Sequence, residues 1–446
     1  MDPAQIIPQI ASLSVRDSPA KRLNDDVLRL IFEETVLGQH DKIPDRNKQA
    51  LTLLLVCRKW NLVASTTPRL WTSLGIRLPA EHTVCAPQIM DRIDRWFGRC
   101  GSMPISLVLQ AIPHPKQLHR LLNPSPGPFP IIRSDLESFK PLASRLKVLS
   151  LDADKGSTLF ESLQVSNNHY SWASVVWSEL ETLVITNPAS YTISDSDVNV
   201  YCMGSMPRLN DLTLTLQFSR LKLWEHCFPW HQLTRLVIAF PVFWAVGLQD
   251  VMSLLSRCAN VEELIVTWWD ILPGNNPNVI GSTVTFPELK KLIVCDRSQV
   301  YQDIGSFLQG FKAPNLETLS ISVFNPRDSP AYNADVGVQL TELIRQCQGT
   351  LRALRIENLL LPTGVLTEIL LQTHNLQVLS LAQKRVDVPF LEQFRSNCGF
   401  LPNLEEMALR LGIRISDRRL MWKHMGNSSS LDMLLVVFRT TSIVSV

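Results

Sequence analysis

One hydrophobic pattern organises most of the chain: an apolar residue, two variable residues, a second apolar residue, one variable residue and a third apolar residue. The copies begin at Leu146, Leu180, Leu209, Leu233, Val261, Leu289, Leu316, Leu351, Leu376 and Leu404. Successive copies start 24 to 35 residues apart. Because a leucine-rich chain contains isolated matches by chance, the near-constant spacing is the informative property, and it indicates an internal repeat.

Each copy predicts a short β-strand, in which the fourth and sixth positions share one face and the fifth position lies on the other. Between strands the apolar spacing becomes helical. The helical faces consist of Val251, Leu254, Leu255 and Cys258, then Leu340, Leu343, Ile344 and Cys347, then Leu366, Ile369 and Leu370. Alternating strands and helices at this period predict an α/β leucine-rich-repeat solenoid, curved, with short parallel strands inside and helices outside.

Two further patterns precede the first copy. Ile89, Met90, Ile93, Trp96 and Phe97 form a helical stripe, and the alternation of Ile105, Leu107 and Leu109 predicts a strand. This pair is interpreted as the start of the solenoid. Residues 110–135 contain six prolines and, like residues 186–205, predict a long loop.

Residues 23–76 lack the repeat and predict three short helices. Asn24, Asp25 and Asp26 supply helix-capping side chains before apolar residues at helical spacing. A polar loop is expected at residues 37–47. The segments Leu51–Cys57, Arg58–Ala64 and Pro68–Trp71 follow, and the whole is interpreted as three short helices.

This segment resembles an F-box. The matching residues are Leu23, Ile31-Phe32, Val56-Cys57-Arg58-Lys59-Trp60 and Pro68-Arg69-Leu70-Trp71, in the order of that family. Asn24 stands where the family usually has proline, and the first loop is long. The combination with irregular repeats is similar to the F-box proteins abundant in mushroom-forming fungi. The resemblance divides the chain into a flexible N-terminus (1–19), the F-box (20–76), a linker, helix and solenoid start with a proline-rich loop (77–145), and a leucine-rich-repeat substrate-binding domain (146–446).

The resemblance implies a substrate-recognition subunit of an SCF-type ubiquitin ligase. Its F-box would bind a Skp-type adaptor, and through it cullin and RING subunits, while its repeats hold an unknown protein substrate. The implied adaptor-binding residues are Leu23, Val27, Leu28, Ile31, Phe32, Val56, Cys57, Trp60 and Leu62. The alternative for these residues is that they form the core of the module itself, and about half are expected to do so.

The candidate substrate surface follows from the fifth position of each copy, which faces away from the predicted core. In the middle of the array these positions are Val237, Ile265 and Ile293, and Trp268 and Trp269 follow the fifth strand. A combined aliphatic and aromatic patch is typical of a partner site. The competing interpretation is that the tryptophans are buried filler, which the usual burial of tryptophan favours.

Charge and motifs exclude several other functions. The net charge of +2, from 43 basic and 41 acidic residues, does not favour nucleic acid or a membrane as partner. Nine unpaired-looking cysteines, the absence of a signal-peptide pattern and apolar runs too short to span a bilayer predict buried free thiols in an intracellular protein of the cytoplasm or nucleus. No nucleotide, metalloprotease or hydrolase motif is present, so we expect no catalytic residue, metal or cofactor.

Two alternatives stay open. The first is a leucine-rich-repeat interaction scaffold without a ligase role, in which the N-terminal module is only a cap for the end of the solenoid. A cap would bury Phe32 and Trp60 against the first repeat, whereas an F-box would leave several of their neighbours exposed. The second concerns Leu431–Val446, which either closes the core or folds back along the array.

Overall fold

The computed structural model describes residues 23–38, 43–79, 87–112, 140–152, 176–186, 205–215, 228–240, 248–268, 283–297, 304–324, 330–383, 401–411 and 435–439. The fold is mixed α/β with long parallel strand pairing, as the repeat pattern predicts. The chain divides into two compact units. Unit 1 contains residues 1–162 and 177–180, and unit 2 contains residues 163–176 and 181–446. Within the described residues, no helix is both long and apolar enough to cross a membrane.

Unit 1 begins with the N-terminal module, defined here as residues 23–71. Its helices are α1 (Asp25–Leu37), α2 (Ile43–Val56) and α3 (Arg58–Ser65), followed by a 3-10 turn at Pro68–Trp71. The three-helix prediction is confirmed. The predicted cap is also present, because the Asn24 side chain accepts a hydrogen bond of 3.4 Å from the backbone N–H of Asp26. The expected loop at 37–47 is shorter than predicted, since α2 already begins at Ile43 and takes Pro44 into its first turn, where the missing N–H is not needed.

The rest of unit 1 is a small parallel sheet with one covering helix. Its elements are β1 (Ser73–Pro79), α4 (Pro87–Phe97) with a 3-10 turn at Gly98–Cys100, β2 (Ile105–Ile112), α5 (Lys140–Ala143) and β3 (Leu146–Asp152). Strand β2 pairs in parallel with both β1 and β3. Helix α4 and strand β2 confirm the predicted pair.

Strand β1 is a correction to the sequence interpretation, which continued the helical module to residue 76. It was missed because Trp71, rather than an aliphatic residue, stands at the first position of the pattern that Leu74 and Ile76 complete. In the sheet, Leu74 is in register with Leu107, as the later leucines are with one another. An eleventh copy of the pattern therefore begins inside the module.

Unit 2 contains the remaining copies. Its strands are β4 (Thr182–Thr186), β5 (Asp211–Thr215), β6 (Arg235–Phe240), β7 (Glu263–Trp268), β8 (Val284–Thr285), β9 (Lys291–Asp296), β10 (Phe311–Lys312), β11 (Thr318–Val323), β12 (Ala353–Glu357), β13 (Val378–Gln383), β14 (Glu406–Leu411) and β15 (Leu435–Arg439). The main sheet has the order β4-β5-β6-β7-β9-β11-β12-β13-β14-β15, and β8 pairs separately with β10. All pairs are parallel except that of β14 with β15. With β3 of unit 1, every one of the ten predicted strands is confirmed.

The helices of unit 2 are α6 (Leu248–Leu255), α7 (Ile304–Gln309), α8 (Pro330–Gln346) and α9 (Thr363–Gln372). Their predicted apolar faces are buried, including Cys258 and Cys347 just beyond α6 and α8. Together with the strand leucines they form the core.

The strand register explains why the core is continuous. The fourth pattern positions form one row across nine strands, and every member of it is buried: Leu183, Leu212, Leu236, Leu264, Leu292, Leu319, Leu354, Leu379 and Met407. Burial alternates along each strand, so the fifth positions lie on the opposite side of the sheet, which we call the open face.

Asparagines that directly precede the first apolar position link successive copies. Each donates from Nδ2 to a backbone carbonyl in the preceding copy over 2.6–3.0 Å: Asn260 to His231, Asn315 to Pro287, Asn375 to Gly349 and Asn403 to His374. These bonds satisfy backbone acceptors at turns, which otherwise depend on water.

Candidate functional site

The exposed apolar side chains of the described residues are concentrated in the N-terminal module. Seven large ones lie on α1, α2 and α3, and we call them the module surface: Val27, Leu30, Ile31, Leu51, Leu55, Val56 and Leu62. In the rest of the described chain the others are Val176, Phe324, Val338 and Leu371, each in a different element or loop. Leu55 is 85% exposed and Leu30 is 68% exposed. Clustering of this kind is typical of an interaction surface.

The predicted adaptor-binding residues divide between this surface and the interior. Leu28 and Phe32 are fully buried, and Leu23 and Trp60 are half-buried. The exposed members are Val27, Ile31, Val56, Cys57 and Leu62. Leu30, Leu51 and Leu55 belong to the surface but were not predicted. They lie outside the apolar stripe of their helices, so the periodicity that identifies core residues does not identify them.

The interior of the module is built around two aromatic contacts. Phe32 meets Trp60 edge to face, with ring centroids 5.0 Å apart. Trp71 is fully buried, donates from Nε1 to the carbonyl oxygen of Ala64 over 2.9 Å, and packs edge to face on Trp96 at 4.8 Å. The guanidinium of Arg99 stacks 4.3 Å from the Trp71 ring. The helices therefore have a core of their own, which does not require the module surface.

Polar contacts hold the helices and the small sheet of unit 1 in place, and one of them joins the module to the sheet. Asn47 donates from Nδ2 to the carbonyl oxygen of Gly75 over 2.8 Å, joining α2 to β1. Trp96 donates from Nε1 to the carbonyl oxygen of Ser73 over 3.0 Å. At the start of α1, Lys59 donates a hydrogen bond from Nζ to the carbonyl oxygen of Leu23 over 2.6 Å. These contacts orient the helices without using the exposed leucines.

The open face of the unit 2 sheet brings the predicted substrate residues together. Val237 is in register with Ile265, and Ile265 with Ile293, so the three side chains are neighbours on β6, β7 and β9. All three are half-buried. The same row continues in both directions with residues that are mostly polar: Val184, Thr213, Ser320, Arg355, Ser380 and Ala408.

A ladder of alternating charges runs beside this aliphatic row. Asp211 accepts from Arg235 at 2.9 Å, Arg235 also reaches Glu263 at 3.2 Å, and Glu263 meets Lys291 at 2.8 Å. Burial raises the pKa of Glu263, but the hydrogen bonds and charges of Lys291 and Arg235 together hold that pKa below its ordinary value. The four charges neutralise one another, which leaves the aliphatic row as the distinctive feature of this part of the face.

Tryptophans follow or precede the strands of this row in the sequence. The backbone of Trp268 ends β7 in register with Phe240 and Asp296. Trp230, in the neighbouring copy, is buried and meets Phe228 edge to face at 5.5 Å. Trp230 therefore belongs to the packed interior and not to an exposed patch. Trp269 lies outside the described residues, so its role stays a prediction.

The described cysteines are free thiols, and most are buried. Cys100, Cys258 and Cys347 are buried and Cys295 is half-buried, whereas the expectation of burial is wrong for Cys57, which is exposed. Burial raises the pKa of Cys258 to about 12, although the charge of Arg257 opposes it, and burial likewise raises the pKa of Cys347 to about 12. Within the described ranges no three His, Cys, Asp or Glu residues gather in a metal-binding group. Cys202, His226 and Cys227 lie outside those ranges.

Comparison with protein families finds no model that matches this chain, and comparison with curated proteins finds no match either. The functional argument therefore depends on the residues themselves.

Proposed function

We propose that the chain is a substrate-recognition subunit of an SCF-type ubiquitin ligase. In this proposal the N-terminal module is an F-box that binds a Skp-type adaptor, and through it cullin and RING subunits. The unit 2 sheet and its helices are leucine-rich repeats that hold the protein to be modified. The chain itself supplies no bond chemistry, and its contribution is to bring substrate lysines close to the charged ubiquitin carrier.

The module surface is the observation that carries the proposal. Seven large apolar side chains on three short helices are exposed to water, which is unfavourable. A partner that covered them would gain a free energy of roughly 25 cal/mol for each Å² of apolar area buried. Five of the nine residues to which the F-box resemblance assigns adaptor contact are exposed, and they lie among these apolar side chains. An obligate hydrophobic interface has this composition.

The rival scaffold proposal also has support. Asn47 bonds to β1, and Trp71 occupies the first pattern position of that strand, so the module does cover the start of the small sheet. A cap alone, however, leaves the exposed side of α1, α2 and α3 without a role. Phe32 and Trp60 pack on each other inside the module while Ile31 and Val56 stay exposed, which favours the F-box.

The test is calorimetric titration of the full chain with a purified Skp-type adaptor. The double variant Leu55→Asp/Leu62→Asp changes two exposed side chains and keeps the buried pair Leu28 and Phe32. We expect the wild type to bind and the variant to lose roughly a hundredfold or more in affinity, since covering two unpaired carboxylates with an apolar partner costs several kcal/mol.

Leu371→Asp, on the half-exposed outer side of α9, is the matched control and should bind the adaptor like the wild type. Thermal melting followed by circular dichroism checks that all three proteins are folded. A well-folded wild type that does not bind the adaptor would make the scaffold the better proposal.

A further inference from the structure

The open face of the unit 2 sheet changes character halfway along its central row. At β6, β7 and β9 the row is aliphatic, with Val237, Ile265 and Ile293. At β11, β12 and β13 it becomes Ser320, Arg355 and Ser380, again in register. An aliphatic strip followed by a cation between two hydroxyls is a composite surface, and its two halves favour different side chains.

Arg355 differs from the other cations described on this face. Arg235 and Lys291 are closed into ion pairs with Asp211 and Glu263. Arg355 is exposed and makes no ion pair or hydrogen bond with the residues that the structure describes. Its guanidinium therefore has its five N–H donors available to an incoming acceptor, in a geometry that suits a carboxylate.

The charges around Arg355 favour a singly charged anion over a phosphate. Glu357 lies two residues beyond Arg355 on the same face, where the two side chains are about 7 Å apart, and it accepts a hydrogen bond of 3.2 Å from Ser322. Its negative charge opposes a doubly charged phosphate more strongly than a carboxylate. One arginine faced by one nearby glutamate leaves little net positive charge, which suits the side chain of Asp or Glu.

We propose that this face binds a peptide segment in the polyproline II conformation that carries aliphatic side chains followed by an acidic one. Neighbouring strands lie about 4.8 Å apart. A polyproline II segment has about three residues per turn and advances about 3.1 Å per residue, so residues three positions apart share a face and span about two strands. Val237 and Ile293 are two strands apart, as are Ile293 and Arg355. The segment therefore presents two aliphatic residues about three positions apart and Asp or Glu about three positions further on, crossing the strands.

This inference deepens the substrate-binding part of the proposed function and rests on it, but it does not depend on the adaptor. The probe is a display library of short random peptides, selected on the immobilised full chain. Four proteins are compared: the wild type, Arg355→Glu, Ile265→Ser and the control Arg352→Glu. Arg352 is an exposed arginine just before the same strand and outside the row.

We expect the wild type and Arg352→Glu to enrich peptides with the aliphatic, aliphatic, acidic spacing, and Arg355→Glu to enrich a basic residue at the acidic position. A synthetic peptide of the enriched sequence should lose roughly tenfold or more in affinity for Arg355→Glu, the size of effect typical of one charged hydrogen bond. Ile265→Ser should weaken the aliphatic preference while leaving the acidic one.

Three results would overturn the inference: no enrichment by the wild type, the same peptides enriched by wild type and Arg355→Glu, or at least tenfold tighter binding when phosphoserine replaces the acidic residue. Adaptor titration of the same preparations separates this inference from the ligase proposal. Peptide selection without adaptor binding would support the inference and contradict the ligase role. Adaptor binding without peptide selection would contradict the inference alone.

Discussion

Single residues of this chain serve two elements at once. Trp71 closes the N-terminal module through its hydrogen bond to Ala64 and also occupies the first pattern position of β1. Arg235 bridges three strands by reaching Asp211 and Glu263. Because such residues satisfy several partners, replacing one of them disturbs more than a single contact. Each cysteine, by contrast, has surroundings of its own, so the reactivities of the thiols can be compared residue by residue.

We predict that the thiols react in the order of their environments. At pH 8 a thiol with a pKa of about 12 is ionised in only about one molecule in ten thousand, and only the thiolate reacts. Treating the folded chain with N-ethylmaleimide should therefore modify Cys57 quickly and leave Cys258 and Cys347 unmodified, as read by peptide mass spectrometry. In denaturant all three should react. Rapid labelling of Cys258 in the folded chain would contradict its burial.

At the scale of elements, the packing of α8 against α9 requires a glycine at one position. Gly337 of α8 faces α9 so closely that an added Cβ would lie 2.8 Å from Cγ1 of Val365. Gly364, in the first turn of α9, has nothing within 4 Å of an added Cβ. One glycine is therefore required by a close approach of two helices, and the other is a position where alanine fits.

This difference gives a matched pair of predictions. Gly337→Ala should lower the free energy of unfolding by about 1–3 kcal/mol, because the half-buried Val365 side chain is branched at Cβ and has few alternative rotamers into which it can shift. Gly364→Ala should raise it by about 0.5 kcal/mol through the lower entropy of the unfolded chain. Urea unfolding followed by circular dichroism measures both. A rise in the free energy of unfolding for Gly337→Ala would show that α8 and α9 are not packed as closely as described.

At the scale of the whole molecule, the chain consists of two units whose sheets are stabilised in the same way, by rows of leucine shared between neighbouring strands. Such sheets have edges, and an uncovered edge strand can pair with another molecule. In unit 2, β15 lies antiparallel on β14, with Ala408 opposite Val437. Of the two alternatives for the C-terminal segment, closure of the array is the one that the strand pairing supports.

We predict that removing β15 makes the protein associate. A chain shortened to residue 434 exposes the backbone N–H and C=O groups of β14, so it should form oligomers in size-exclusion chromatography with light scattering. A chain shortened to residue 439 retains β15 and is the control. If the two shortened chains stay equally monomeric, the pairing of β14 with β15 does not protect the sheet.

The strands of the ten pattern copies, three of the helices between them and the three helices of the module could be predicted from the sequence, whereas α7 could not. These features depend on local periodicity, which the spacing of Leu236 and Ile238, or of Leu340 and Ile344, shows directly. The same alternation placed Val237, Ile265 and Ile293 away from the core. Whether an adaptor binds the module, and whether a protein substrate binds the sheet, remain proposals at either level.

Which apolar residues of the module are buried became clear from the packing of its helices and could not be read from the sequence. Leu28 and Ile31 have the same helical signal, yet Leu28 is fully buried and Ile31 is 42% exposed, because burial depends on which neighbouring helix covers each one. The ion-pair ladder, the position of Arg355 in the same row as Val237 and the antiparallel β15 likewise required the strand register, which relates residues about 25 to 35 positions apart in sequence. These features could not be predicted because the spacing of apolar residues within one segment contains no information about how distant strands align.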